Sequence, residues 1–250
     1  MLIDTHCHLS KNYYTDIAAV VAAMNGIIIV SGVNDETNRE VMELVSSFDN
    51  VYGTLGIHPT EMDKLTDYSL KFIEDNLENA KIVAIGEIGL DYRYISDNKG
   101  LQQDLFIKQI NLANRYNKPI VIHNREATLD VYEILKKFSK TKKLLHCYSS
   151  SLEMAYEFVS LGVMFGIGGS VTFKNAKKLI RVVRGIDLKY LLLETDSPYM
   201  TPSIFKGKQN EPCNVKYVAN TIAEIKGIPI DCVVNTTSRN AIDFFDILGR

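Results

Sequence analysis

The five histidines of this chain each stand where a short apolar run gives way to a loop. His6 and His8 follow Leu2-Ile3-Asp4, His58 follows Leu55-Gly56-Ile57, His123 follows Ile120-Val121-Ile122 and His146 follows Leu144-Leu145. Glu87, after Ile82 through Gly86, and Asp196, after Leu191 through Thr195, share that placement. In parallel sheets the carboxyl edge of the strands is where active sites form. Neutral imidazoles mixed with carboxylates suit divalent transition metals, and a set this rich suffices for two ions. The chemistry implied is metal-dependent hydrolysis.

His6 and His8 are two residues apart, and on a strand that spacing points both side chains to one face. Both imidazoles can then reach one ion, while Cys7 between them points away as a small buried apolar residue. Glu87 lies in Gly86-Glu87-Ile88-Gly89-Leu90-Asp91-Tyr92, where glycines allow a sharp turn and a carboxylate can bridge two ions. A bridging oxygen sets a two-metal separation of about 3.5 to 4 Å. His123 and His146 are expected on the second ion. Asp196 is expected to close back onto the first, where it can also take a proton from water or orient it. Taken singly, each of these is equally an N-cap, a surface ion pair or a hydrogen-bonded buried histidine; together they point to a metal centre. Glu194, on the same strand face as Asp196, reads as a partner that fixes a histidine tautomer or as a buried structural carboxylate.

The elements that must position these groups follow from the hydrophobic pattern. Short apolar runs alternate with longer amphipathic ones, the signature of repeated βα units. The runs begin near Leu2, Gly26, Val51, Ile82, Pro119, Lys143, Val163 and Tyr190. Helical spacing is clearest at Leu101, Leu105, Ile110 and Ala113, and at Val131, Leu135 and Phe138. Eight strands in 250 residues predict an α/β protein, a (β/α)8 TIM barrel forming one domain over residues 1–250. The stretch from Ser197 to Pro212 exceeds the usual βα loop of about two to six residues. Hydrophobic residues make up 46% and charged residues 23% of the chain, enough to build a core without disulfides. The four cysteines form no C-x-x-C pair, which excludes a zinc ribbon or redox motif and suits a reduced, cytoplasmic protein. No basic-then-apolar leader opens the sequence and no run approaches the roughly 18 apolar residues of a membrane span. A net charge of -2 promises no broad basic surface, so local charge and metal would hold a nucleic acid.

Six motifs carry a more specific likeness: Asp4-Thr5-His6-Cys7-His8, Gly56-Ile57-His58-Pro59, Gly86 through Tyr92, His123-Asn124-Arg125, His146-Cys147 and Glu194 through Tyr199. In order and spacing, together with Asn210-Glu211-Pro212 and Asn240, they resemble the TatD family of metal-dependent deoxyribonucleases. The resemblance implies a two-metal barrel of the amidohydrolase-like group that cleaves phosphodiester bonds in DNA. By that likeness His6, His8, Glu87 and Asp196 hold one metal, and Glu87, His123 and His146 the other. Two positions depart from the family pattern: Ser150 replaces a glycine, and Gln209 replaces an arginine that could have gripped phosphate as a fork.

Several further groups could meet the substrate. Arg125 offers a planar guanidinium for a phosphate oxygen, or else a helix-entry ion pair. His58 could donate a hydrogen bond to a leaving or non-bridging oxygen. Tyr92, Tyr148 and Tyr199 are rings that stack on bases or pack the loops. Lys174, Lys177, Lys178, Arg181 and Arg184 form either a rail for a nucleic-acid backbone or a solvated helix face. Catalytic roles fall to Asp196 and Glu87, with two divalent ions, zinc, manganese or magnesium, as cofactors and nucleic acid, DNA in particular, as partner. The alternative is an ester or amide hydrolase of the same barrel, such as a D-aminoacyl-tRNA deacylase; a binding module without catalysis is the reading from another class. The glutamate at the bridging position disfavours an amidohydrolase that carries a carbamylated lysine there.

Overall fold

The computed structural model describes residues 1–66, 68–93 and 98–247. Strands β1 (Leu2–Cys7), β2 (Gly26–Ser31), β3 (Val51–Leu55), β4 (Ile82–Asp91), β5 (Ile120–Arg125), β6 (Lys143–Leu145), β7 (Val163–Ile167) and β8 (Leu191–Leu193) alternate with helices along the chain. The helices are α1 (Ile17–Ala23), α2 (Asp35–Ser47), α3 (Ser69–Asn76), α4 (Lys99–Tyr116), α5 (Thr128–Phe138), α6 (Leu152–Ser160), α7 (Lys177–Gly185), α8 (Val215–Lys226) and α9 (Ile230–Phe245). Six strands begin where the sequence places them and two begin one residue later. Pro119 has no N–H for a ladder, and its carbonyl instead accepts the Ile85 N–H at 2.9 Å. Tyr190 closes a short 3-10 turn on Asp187 before β8 starts. No helix among the described residues is long and apolar enough to cross a membrane.

The contacts divide the chain into two compact units, Met1–Val30 with His146–Arg250, and Ser31–Leu145. In the first unit β1 runs parallel to β2, with Leu2 opposite Gly26, and β7 runs parallel to β8, with Phe165 opposite Leu191. The end of β8 then fastens onto β1. The Thr5 hydroxyl donates to the Leu193 carbonyl at 2.9 Å, the Asp196 N–H to the His6 carbonyl at 2.9 Å, and the His8 N–H to the Ser197 carbonyl at 2.7 Å. These bonds fix His6, His8 and Asp196 side by side. Helix α9 turns Val233, Thr237, Ala241, Phe244 and Phe245 inward, and the Asn240 amide donates to the Leu188 and Leu191 carbonyls at 3.0 and 2.9 Å.

In the second unit β3, β4, β5 and β6 pair in parallel, with Leu55 opposite Ile85, Ile85 opposite Ile120 and Ile122 opposite Leu145. All ten residues of β4 are buried, and its register against β5 shifts between Ile85 and Ile88, where Glu87 sits. Helix α2 starts on a capping box: Asn34 accepts the Thr37 N–H and the Thr37 hydroxyl accepts the Asn34 N–H. It buries Asn38, Val41, Leu44 and Val45, a stripe at helical spacing.

Helix α4 differs from the stripe read in the sequence. Leu105, Ile110 and Ala113 are buried as expected, but Leu101 is 61% exposed and Gln102 takes the inward position. The reason lies in the backbone that α4 must serve. Past the ends of the β-ladders, buried N–H and C=O groups need partners. Gln102 accepts the Asp91 N–H at 2.8 Å and donates to its carbonyl at 2.9 Å. Gln109 makes the same pair of bonds to Ile57, at 2.8 and 3.0 Å, and Asn38 to Gly56, at 3.1 and 2.9 Å. Three buried amides thus stand in for missing strands at the segments carrying His58 and Asp91. Replacing Gln109 by Leu strands one buried donor and one buried acceptor, each worth about 1–3 kcal/mol. Denaturant unfolding of the Gln109→Leu variant is expected to show a loss of about 2–4 kcal/mol; a loss below about 0.5 kcal/mol, within the range of an ordinary surface change, contradicts this role.

Candidate metal centre

In the first unit His6, His8 and Asp196 meet nitrogen to oxygen. His6 Nε2 and His8 Nε2 lie 3.2 Å apart, and Asp196 Oδ1 lies 3.6 and 3.4 Å from them. Two donors held about 2.05 Å from one tetrahedral ion stand about 3.3 Å apart. The three separations therefore match a shared cation. The two imidazoles cross at 86°, so their lone pairs converge from perpendicular rings, and His146 stacks on His6 with centroids 4.1 Å apart. His6, His146 and Asp196 each bring a ligand atom into one group, with no two of these atoms farther apart than 4.8 Å. Asp196 adopts φ 54°, a left-handed conformation that aspartate tolerates better than most residues. Burial alone would raise its carboxyl, but the hydrogen bond from His8 and the nearby His146, His6 and His8 outweigh burial and hold it below the usual range.

Two carboxylates support this group from behind. Asp4, fully buried, accepts the Thr195 N–H at 2.9 Å and the Thr195 hydroxyl at 2.6 Å, fixing the residue before Asp196. Burial pushes the Asp4 carboxyl well above its ordinary range, against those bonds. Glu194 accepts the Cys147 N–H at 2.5 Å, while its Oε2 is buried with no hydrogen-bond partner among the described residues. Burial lifts the Glu194 carboxyl to about 7, helped by repulsion from Asp196 and opposed by His146 and the Cys147 N–H. Room for that carboxylate depends on Gly166, where a Cβ would lie 2.0 Å from Glu194 Oε2. Cys7 is buried, as its place on β1 predicts, and Cys147 Sγ lies 3.5 Å from Asp196 Oδ2.

In the second unit Glu87 gathers two histidines. Its Oε1 is 2.9 Å from His123 Nδ1 and 3.4 Å from His58 Nε2, and the two rings are 4.2 Å apart. His123 Nε2 faces Asp91 Oδ2 at 3.0 Å. A neutral imidazole carries one N–H, so it cannot donate to carboxylates on both sides. With the proton on Nε2 toward Asp91, the Nδ1 lone pair faces Glu87 Oε1. Two electron pairs so placed are the arrangement a cation resolves, and a histidine ligand whose second nitrogen donates to a carboxylate is the usual support. His58 is oriented differently. Its Nδ1 accepts the Thr60 N–H at 3.2 Å and lies 2.7 Å from the Thr60 hydroxyl, which leaves the ring proton on Nε2. His58, expected to face the substrate, thus stands beside Glu87 as a donor.

Other sequence candidates divide. Arg125 ends β5 half-buried, opposite Asp91 in register, and its carbonyl accepts the Tyr92 N–H. Tyr92 and Tyr148 are buried, bonded through their hydroxyls to Asp130 and the Ser151 carbonyl, so their role is packing. Tyr199 remains exposed. Lys174, Lys177, Lys178, Arg181 and Arg184 are all exposed, Arg181 pairs with Glu153 at 2.8 Å, and α7 buries Leu179, Val182 and Val183 on its other side. Sequence reasoning gave Asp91 and Asp4 no role of their own. Their only signal was membership of two motifs, Asp4 two residues before His6 and Asp91 near the end of the segment from Gly86 to Tyr92.

Comparison with known proteins accounts for this donor set. The sequence pattern described as TatD related DNase matches residues 3–246. The chain belongs to the TatD family. It is 41% identical to YabD, an uncharacterized metal-dependent hydrolase of Bacillus subtilis, over 99% of this chain and 100% of that one. It is 33% identical to YcfH, a metal-dependent hydrolase of Escherichia coli, over 98% of this chain and 96% of that one. The crystal structure of YjjV, a TatD homologue from Escherichia coli, superposes with a TM-score of 0.91 at 33% identity, covering 98% of each chain. That likeness bears out the expected (β/α)8 barrel class, and the TatD relatives make this chain a metal-dependent hydrolase.

The Asp91–His123 bond has a measurable consequence. In Asp91→Asn the carboxylate that fixes the His123 tautomer is gone, and losses of this kind weaken metal binding about 10–100-fold. Calorimetric titration of metal-stripped protein with zinc or manganese is expected to show that loss in one class of site; unchanged affinity assigns Asp91 to structure alone.

Proposed function

We propose that this TatD protein is a phosphodiesterase acting on DNA with two divalent cations of the zinc, manganese or magnesium kind. The observation that carries the reading is the 3.2–3.6 Å triangle of His6, His8 and Asp196 donor atoms, spaced for a cation. The family description as a DNase directs it to DNA. By the family resemblance His6, His8, Glu87 and Asp196 would hold one cation, and Glu87, His123 and His146 would hold the other. Bound there, such cations supply Lewis-acid charge and bring the ionisation of water toward neutral pH.

The remaining work belongs to side chains. Asp196, kept ionised by the histidines around it, is free of its own proton near neutrality and so can take one transiently from water. Its Oδ2 faces the Cys147 thiol, so Oδ1 is the oxygen turned to the histidines. His58, with its proton on Nε2, turns that proton from Glu87 Oε1 toward a phosphoryl oxygen as charge develops there. Arg125 clamps a second oxygen through its planar fork. Action in the cytoplasm belongs to the same reading and rests on four well-separated cysteines without a C-x-x-C pair.

The test compares single-stranded DNA, RNA and D-aminoacyl-tRNA as substrates for metal-replete protein. DNA is expected to be cleaved, chelation to abolish cleavage, and Asp196→Ala and Glu87→Ala to reduce it to the chelated level while thermal melts stay cooperative. Turnover of the aminoacyl ester alone, or undiminished cleavage by both variants, overturns the assignment.

A further inference from the structure

Beside His8 two tyrosines are exposed without a part in the chemistry above. Tyr13 and Tyr199 are 43% and 49% exposed, and Met200, next in the chain, is 42% exposed. Their rings meet at 73° with centroids 5.7 Å apart, and their hydroxyl oxygens are 2.6 Å apart. The pair forms an open corner rather than a closed stack. The Tyr199 ring lies 6.2 Å from the His8 ring, so the corner borders a group whose nitrogen lies 3.4 Å from Asp196.

The corner is held from below. The Tyr199 N–H donates to the Asp196 carbonyl at 2.9 Å, and the Tyr199 carbonyl accepts the Asn210 amide at 2.8 Å. Asn210, fully buried, also donates to the Thr195 carbonyl, and its own carbonyl accepts the hydroxyl of Tyr14 at 2.7 Å. Gln209, which departs from the family's arginine, donates to the Tyr13 carbonyl at 2.8 Å. Both rings are therefore carried on fixed backbone, and a ligand meeting them pays little ordering entropy. Lys206 and Lys208, exposed on the same loop, add positive charge.

We propose that Tyr13 and Tyr199 form a stacking platform for one unpaired nucleobase of a single-stranded nucleic acid, placing the adjoining phosphodiester beside His8 and Asp196. Aromatic faces take any base, at a gain of about 1–3 kcal/mol per base. A base inside a duplex has both faces covered by its neighbours, so the corner selects loose strands and strand ends. Exposed lysines suit the flanking phosphates. The inference deepens the phosphodiesterase reading and depends on it for the position of the scissile bond.

The test uses holoenzyme and two fluorescent oligonucleotides of equal length, one of thymidines and one with the same backbone but abasic throughout, both with phosphorothioate linkages for binding and normal linkages for turnover. By anisotropy, wild-type protein is expected to bind the thymidine strand tighter than the abasic strand by about 5–150-fold, which is 1–3 kcal/mol at 1.4 kcal/mol per tenfold. Tyr13→Ala/Tyr199→Ala is expected to lose most of that difference while its affinity for the abasic strand stays within twofold, and Tyr199→Trp to keep it. Equal binding of both strands by wild-type protein, or an equal loss on both strands in the double variant, overturns the platform. Base-dependent binding without cleavage of either normal strand leaves the platform standing and removes the phosphodiesterase reading instead.

Discussion

Imidazole and carboxylate lone pairs are brought face to face in buried surroundings, and the rest of the site is arranged around that fact. His6 and His8 present nitrogens to each other at 3.2 Å, and His123 sits between two carboxylates with one ring proton to give. Left to themselves such groups repel or pick up protons, because removing charge from water is costly. A divalent cation turns the same geometry into attraction. Donor pairs 3.2–3.6 Å apart have the spacing of ligands around one ion.

Holding polar groups at strand ends creates a second demand, since the backbone there has left the ladder and still needs partners. The chain meets it with amides sent from helices and loops. Asn38, Gln102 and Gln109 serve the second unit, and Asn210 and Asn240 the first. Asn240 secures the start of β8, and the other four bind the backbone of a segment that carries, or immediately borders, a candidate site residue. Rigid support of this kind is what metal and substrate positioning require, because small displacements of ligands weaken binding.

The candidate ligands could be picked out in the sequence because strand periodicity and strand ends are local properties. Eight runs and the placement of His6, His8, Glu87, His123, His146 and Asp196 could be read without knowing any long-range contact. The supports could not. Gln109 reaches Ile57 across 52 residues and Asp4 reaches Thr195 across 191, and nothing in local spacing announces such pairs. Leu101 misled for the same reason: its spacing fitted an apolar stripe, but the position facing inward went to Gln102, whose partner is the Asp91 backbone. Tyr13 passed unnoticed because its relation to Tyr199 spans 186 residues, whereas Tyr92 and Tyr148, conspicuous in motif loops, turned out to be packing residues.

The central claim is that these imidazoles and carboxylates exist to hold cations. Anomalous diffraction from crystals grown with manganese or zinc, recorded on both sides of the metal's absorption edge, tests it most directly. The account predicts one anomalous peak within about 2.3 Å of His6, His8 and Asp196 donor atoms and a second at His123 and Glu87. Well-ordered side chains in these positions with no anomalous density at either would contradict it.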